Sequence, residues 1–469
     1  EADLDGLPAL VRTGAAAAAT QRGLQGMWVV ANTRAAMEPF LTFSRRRDLR
    51  ERAWRLFVNR GDNGGEHDNK AIVRDVLLLR AERAKLLGYA THAHWRLENT
   101  MAKTPERAIA LMEAVWKPAV ARVHEEVADM QAIADQDEPG ITIEPWDYRY
   151  YQEKVRKERY DLSQEEIKPY FALDNMVEAM FWSAGQLYDL GFKENTGTVP
   201  VFHPDVRTFE VTDTRSGEVV GLFYLDNFAR EGKRSGAWMT TYRSRAGLLD
   251  DDIVLASNNN NFTPGEAGKP VLISLDDAET LFHEFGHAIH YLLVDVHYPS
   301  FGGSQRDFVE YPSQVNENWL LTPPVLNRFA KHYQTGEPMP QALVDKIQKA
   351  QTFNQGFATV EYLSLALVDM MLHTDPNGVI DPKAFEKSAL AELGMPREIV
   401  LRHRLPQSGH LFSSDSYSAG YYSYLWSETM DADTWAAFME TGDPFHKPTA
   451  DRFRQYLLST GNETDRAEA

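Results

Sequence analysis

Two histidines four residues apart bracket a glutamate in the run His283-Glu284-Phe285-Gly286-His287. On a helix, side chains at i and i+4 share a face, so both imidazoles can reach one metal ion. Glu284 is then placed to take a proton from a water on that ion, the division of labour of a zinc peptidase. That chemistry requires a genuine helix and a third ligand.

The helix is well signalled. Ser274 is a capping residue, Asp276 and Asp277 occupy the first turn, and Leu281, Phe282, Phe285, Ala288, Ile289, Leu292 and Leu293 make a broad apolar face. A catalytic zinc takes three protein ligands and a water, and a chain with no cysteine must supply them from His and carboxylates. Glu310, in Arg306-Asp307-Phe308-Val309-Glu310-Tyr311-Pro312-Ser313-Gln314, is the nearest good candidate. Residues 315–320 continue helically, so Glu310 can sit on a second helix that crosses the first. Pro312 fits such a helix only in its first turn or at a kink. On spacing alone, Asp307 and Glu317 compete for the role.

Amide hydrolysis also needs a donor for the oxyanion and a grip on the peptide. The stretch 410–424 is dense in suitable groups: His410, Tyr417, Tyr421, Tyr422 and Tyr424, among Ser413, Ser414, Ser416, Ser418 and Gly420. Composition alone equally allows an aromatic core segment around a mobile loop.

The elements that must position these groups are mostly helical. Residues 70–87 carry Ile72, Val73, Val76, Leu77, Ala84 and Leu87 at helical spacing, with Arg80 interrupting the stripe. Thr104 and Pro105 open a helix that runs to about Asp135. Further helix is expected from Ser163 to Leu190, broken early at Pro169. Near Thr198 the pattern changes: 199–209 and 219–225 read as strands joined by a turn at 213–217, with 238–242 and 271–274 as further strands. The Asn-rich stretch 257–268 reads as a loop. The expected architecture is mainly α, two helical lobes around a deep substrate channel, with a small β-sheet beside the metal helix. Residues 1–160 are read as a helical lobe forming part of the channel wall, and 161–469 as the catalytic region.

Composition excludes several classes. The 469 residues carry a net charge of −19, which disfavours nucleic acid and anionic membrane surfaces as partners. No window approaches the roughly 20 consecutive apolar residues of a membrane span. No basic start followed by an apolar run marks a signal peptide. The cytoplasm is the expected compartment, with the periplasm as the alternative, since absence of cysteine suits both.

His283-Glu284-Phe285-Gly286-His287-Ala288-Ile289-His290, with Asp307-Phe308-Val309-Glu310-Tyr311-Pro312-Ser313-Gln314 and Glu317-Asn318-Trp319, resembles the M3 family of zinc metallopeptidases, the thimet oligopeptidase-like enzymes. Pro204-Asp205-Val206-Arg207, residues 221–226 and residues 232–238 extend the resemblance. It implies one Zn²⁺ held by His283, His287 and Glu310, which decides among the three carboxylates, and Glu284 as general base. It further implies that Tyr421 and Tyr424 donate to the oxyanion, while His410 and Tyr417 hold the substrate backbone; His410 counts among the catalytic residues. In this chain, serines stand where that loop commonly has glycines. Family members carry a further helical region upstream, so the resemblance implies a piece or processed form of a longer enzyme.

Residues 421–428 and 431–434 look more like the peptidyl-dipeptidase branch of the family than the oligopeptidase A branch. The expected activity is therefore release of C-terminal dipeptides from short unstructured peptides, by a monomer. Internal cleavage of the oligopeptidase A kind is the alternative, and an inactive peptide-binding protein is the alternative from another class. Binding a free C-terminus calls for a cation or a cluster of donors about two residues beyond the zinc on the primed side. Arg306, Arg402 and Arg404 have the right chemistry, but each reads more strongly as solvated surface charge, and none is assigned the role.

Overall fold

The computed structural model describes residues 2–245, 247–248, 253–265 and 268–467. Helix dominates, and among the described residues one five-stranded sheet is present. The chain divides into two compact units: Glu1–Leu162 with Lys349–Trp426, and Ser163–Gln348 with Ser427–Ala469. The tyrosine-rich segment lies in the first unit and the His-Glu-Phe-Gly-His run in the second.

The first unit is built on two long helices. In Pro105–Asp137, the Thr104 side chain accepts the Arg107 N–H at 3.4 Å and Pro105 takes the first turn, where its missing N–H costs nothing. Ala108, Met112, Trp116, Ala119, Val123, Met130 and Ala134 form its buried stripe, in one core with the helix Gln355–His373. Glu126, buried on that stripe, accepts the N–H groups of Gly356 and Phe357 at 2.9 and 3.0 Å. A carboxylate borrowed from the neighbouring helix thus closes a helix start whose own Asn354 makes no side-chain cap. Arg80, on Lys70–Leu86, does not break its apolar stripe to reach water. It is 4% exposed and turns inward to Asp415 at 3.0 Å.

In the second unit, Ser163 and Glu166 form a capping box on Gln164–Ile167. Pro169 then lies in the 3₁₀ turn Lys168–Tyr170, and helix resumes as Leu173–Tyr188. The strands are β1 (Leu190–Glu194), β2 (Arg207–Asp213), β3 (Val219–Phe228), β4 (Trp238–Arg243) and β5 (Val254–Phe262), ordered β1-β2-β3-β5-β4. β3 and β5 pair parallel, and the other neighbours pair antiparallel. The β2–β3 turn is where expected, with Gly217 at φ 78°, a conformation that side chains disfavour.

Three sequence expectations fail locally. Residues 199–206 are not strand, and 271–274 contribute only an isolated bridge, Ala172 to Leu272. The Asn-rich stretch read as a loop is instead strand β5 up to Phe262; Glu266 and Ala267 of that stretch lie outside the described residues. Asparagine disfavours strands because its amide competes for backbone groups. Here hydrogen bonds within the sheet occupy the amide nitrogens of Asn259 and Asn260, while the Asn258 amide is buried without a partner. Asn259 Nδ2 donates to Ser257 Oγ at 2.9 Å and to Trp238 O at 3.2 Å, and Asn260 Nδ2 donates to Asn227 Oδ1 at 2.9 Å.

Candidate active site

The helix that carries the His-Glu-Phe-Gly-His run is Leu275–Leu293. The Ser274 hydroxyl accepts the Asp277 N–H, and the Asp277 carboxylate accepts the Ser274 N–H, both at 3.1 Å. Phe285 anchors the helix among Phe181, Phe192 and Phe223, each ring 5.5 Å away. Leu292 packs so closely on β3 that a Cβ at Gly221 would lie 2.6 Å from its Cδ2. The sheet is therefore the bed on which this helix rests.

The second helix, Tyr311–Glu317, crosses it at Gly286. A Cβ there would meet Ser313 Cα at 2.5 Å, Pro312 O at 2.7 Å and Asn316 Cβ at 2.9 Å. Asn316 Nδ2 donates to Phe282 O at 2.7 Å and locks the crossing. Glu310 is the residue immediately before this helix, and Pro312 sits in its first turn. Ser313 Oγ donates to Glu310 O at 2.6 Å.

The crossing brings His283, His287 and Glu310 together, their ligand atoms all within 4.8 Å of one another. Glu310 Oε2 lies 3.3 Å from His283 Nε2 and 3.2 Å from His287 Nε2, and the carboxylate is fully buried. Burial alone would raise the Glu310 carboxyl, but the two imidazoles outweigh it and hold the group well below its ordinary range. Conversely, burial opposes charge on His283, yet Glu310 and Glu317 hold it well above. Glu317 faces the other ring nitrogen, Nδ1, at 2.6 Å. A carboxylate at Nδ1 leaves the Nε2 lone pair for a metal, the usual way such ligands are oriented. Two Nε2 atoms and one buried carboxylate oxygen, preset by that contact, fit a tetrahedral zinc with a position left open.

Glu317 thus lies on the Nδ1 side of His283, outside the cluster. Asp307 is also buried, but outside the cluster, its carbonyl accepting from Ser427 Oγ at 2.9 Å. Glu284 is buried, with Oε2 lacking any hydrogen-bond partner. Burial raises its carboxyl above the ordinary range, with His283 and His287 pulling the other way. His290, a turn further on, is kept neutral by burial, its pKa lowered to about 3.

In the first unit, the tyrosine segment forms one aromatic cluster. His410 lies 5.1 Å from Tyr417 and 5.3 Å from Tyr421, Tyr417 stacks on Tyr424 at 5.9 Å, and Tyr421 meets Tyr424 at 5.3 Å. The segment turns before helix Ser423–Met439 begins, and Ala419 is left-handed at φ 53°. Of the candidate C-terminus binders, Arg402 pairs with Glu361 at 3.4 Å and Arg404 with Glu386 at 2.8 Å and Asp62 at 3.3 Å. Arg306 is half-buried in the connection between the two metal-site helices.

Sequence reasoning missed the residues behind that segment, Tyr362, Asp369 and His373. One signal was available: Asp369 is a lone carboxylate in the apolar run Leu363 to Leu372. A charge on a helix that is apolar all round must have a buried partner.

A helix bearing His-Glu-x-x-His, crossed by a second that presents a glutamate, is the centre of a metallopeptidase. The chain belongs to peptidase family M3, whose family model matches residues 40–469. It is 38% identical over 469 residues to a dipeptidyl carboxypeptidase of Salmonella typhimurium, covering 98% of this chain and 68% of that protein. It is 33% identical over 482 residues to oligopeptidase A of the same organism, covering 100% of this chain and 70% of that protein. Among solved structures, PZ peptidase A with an inhibitor shares the fold, with a TM-score of 0.53 at 16% identity, covering 92% of this chain and 66% of that one. The chain therefore spans about two thirds of the length of the relatives it matches.

Proposed function

We propose that this chain hydrolyses short, unstructured peptides with one zinc ion, removing dipeptides from a free C-terminus. The observation that carries the peptidase reading is the His283–His287–Glu310 set, with His287 and Glu310 buried, His283 half-buried and Glu284 on the same helix. The 38% identity to a dipeptidyl carboxypeptidase supports the subclass.

His283, His287 and Glu310 would hold the zinc, with Glu317 orienting His283 through Nδ1. When bound, the ion would lower the pKa of a water and polarise the scissile carbonyl. Glu284 accepts a proton from the attacking water as its oxygen bonds to the carbonyl carbon. It returns that proton to the leaving nitrogen as the C–N bond breaks. Burial that raises its carboxyl brings its proton affinity nearer to what this shuttle needs. The resemblance assigns Tyr421 and Tyr424 to the oxyanion and His410 and Tyr417 to the substrate backbone, and these roles are part of the proposal. The protein acts as a monomer in the cytoplasm. Among the described residues no helix is long and apolar enough to cross a membrane.

The test is mass spectrometry of the products from a free-acid peptide and its C-terminal amide, alongside zinc stoichiometry. Successive loss of dipeptides, blocked by amidation, is expected. Internal cuts indifferent to amidation would replace the dipeptidase reading by the oligopeptidase A one. Tight peptide binding with no turnover would mark an inactive binding protein.

A further inference from the structure

One face of the helix Gln355–His373 holds the backbone of Tyr421 at both ends. Asp369 Oδ2 accepts the Tyr421 N–H at 3.0 Å, and Oδ1 accepts the Ala419 N–H at 2.9 Å. The Tyr362 hydroxyl donates to the Tyr421 carbonyl at 2.9 Å and accepts the Leu425 N–H at 3.0 Å. Tyr362 and Asp369 are seven residues apart, two turns, and therefore share a face. Between them they spread four backbone contacts across residues 419–425, where the chain is neither helix nor strand until Ser423.

Asp369 is itself fixed. It is fully buried, and the His373 Nδ1 lies 2.8 Å from its Oδ1. Arg80 Nη1 lies 3.2 Å from His373 Nε2. A guanidinium only donates, so Nε2 is the acceptor and Nδ1 carries the proton given to Asp369. The same Arg80 donates to Leu411 O at 2.8 Å and Ser414 O at 2.9 Å, gripping the segment upstream. From behind, His92 Nε2 meets Ser418 Oγ at 2.8 Å. A surface loop needs no such buried scaffold. The left-handed Ala419 is a conformation that persists only where its surroundings over-determine it.

We propose that Asp369 and Tyr362 are positioning residues for Tyr421: by fixing its N–H and its carbonyl they set where its hydroxyl stands. This rests on the reading of Tyr421 as an oxyanion donor. A preorganised donor is effective because it needs no rearrangement as charge develops, and a displacement of about 1 Å can lower turnover on the order of 100-fold.

The experiment compares Asp369→Asn, Tyr362→Phe, Tyr421→Phe and each of the first two combined with Tyr421→Phe. Readouts are kcat, KM and the inhibition constant of a tetrahedral phosphinic peptide. An asparagine offers one oxygen where the aspartate offers two, so one backbone N–H loses its acceptor. Tyr362→Phe keeps the ring and removes only the hydroxyl, which keeps the question open to test if Asp369→Asn does not fold. Each single variant is expected to lower kcat by roughly 10–100-fold with little change in KM, and to weaken the phosphinic peptide in step. In the Tyr421→Phe background neither should lower kcat further, because the group they position is gone. Losses that multiply in that background, or single variants with full kcat, overturn the positioning role while leaving Tyr421 assigned. Full activity of Tyr421→Phe alone overturns the assignment of Tyr421, and the positioning role with it.

Discussion

Gly286→Ala tests the geometry on which the metal site depends. The added methyl would sit 2.5 Å from Ser313 Cα and 2.7 Å from Pro312 O, both backbone atoms that no rotamer change can move aside. Carbon atoms rest at about 3.5–4.0 Å, so the crossing must open by roughly 1 Å. Glu310 immediately precedes the displaced helix, whereas His283 and His287 stay on the other. Zinc–ligand distances tolerate about 0.2 Å, so an opening several times larger separates the carboxylate from the two imidazoles. Zinc affinity should fall by at least 10–100-fold, roughly what loss of a supporting hydrogen bond alone costs. The metal-free protein should lose about 1–3 kcal/mol from overpacking. Competitive zinc titration against a chelator, with thermal melts of the metal-free and zinc-loaded forms, measures both. A Gly286→Ala protein that binds zinc as tightly as the parent would refute the claim that this close approach sets the ligand geometry.

Glu284→Gln should retain one zinc per chain while turnover falls by roughly 10²–10⁴ or more, read by metal analysis beside peptide cleavage. Glu317→Gln should keep the fold and weaken zinc by about 10–100-fold, because His283 loses the carboxylate at Nδ1. Burial, with Glu317 and Glu428 nearby, pushes Asp431 up to about 7, against a hydrogen bond from Asn318. A carboxyl raised in the folded state opposes folding once ionised, so this penalty is absent below about pH 4 and grows in up to pH 7. Asp431→Asn should therefore gain melting temperature over the parent as pH rises through that window; a gap constant from pH 4 to 7 would count against it.

Much of the second unit was legible because its signals are local. The Ser274–Asp277 cap, the apolar stripe and the two histidines lie within one helix, and i, i+4 geometry follows from helical periodicity alone. Pro312 likewise fitted only a first turn or a kink, and it lies in the first turn. Strand β5 was not legible, since four consecutive asparagines carry a turn signal that only the flanking strands β3 and β4 override. Arg80 read as an interruption because its partners, Leu411, Ser414 and Asp415, lie more than 300 residues away.

By itself, then, the sequence determined which residue types could hold a metal and that two of them share a helical face. On spacing it favoured Glu310 without excluding Asp307 and Glu317, and only the family resemblance chose among them. Tertiary structure separated them: the crossing at Gly286 carries Glu310 Oε2 to the Nε2 side of both histidines and Glu317 to the Nδ1 side of one, while Asp307 lies outside the cluster. The physical reason is that periodicity fixes neighbours within a helix, whereas the register between two helices is set by how closely their backbones can approach, and that distance is settled only by packing.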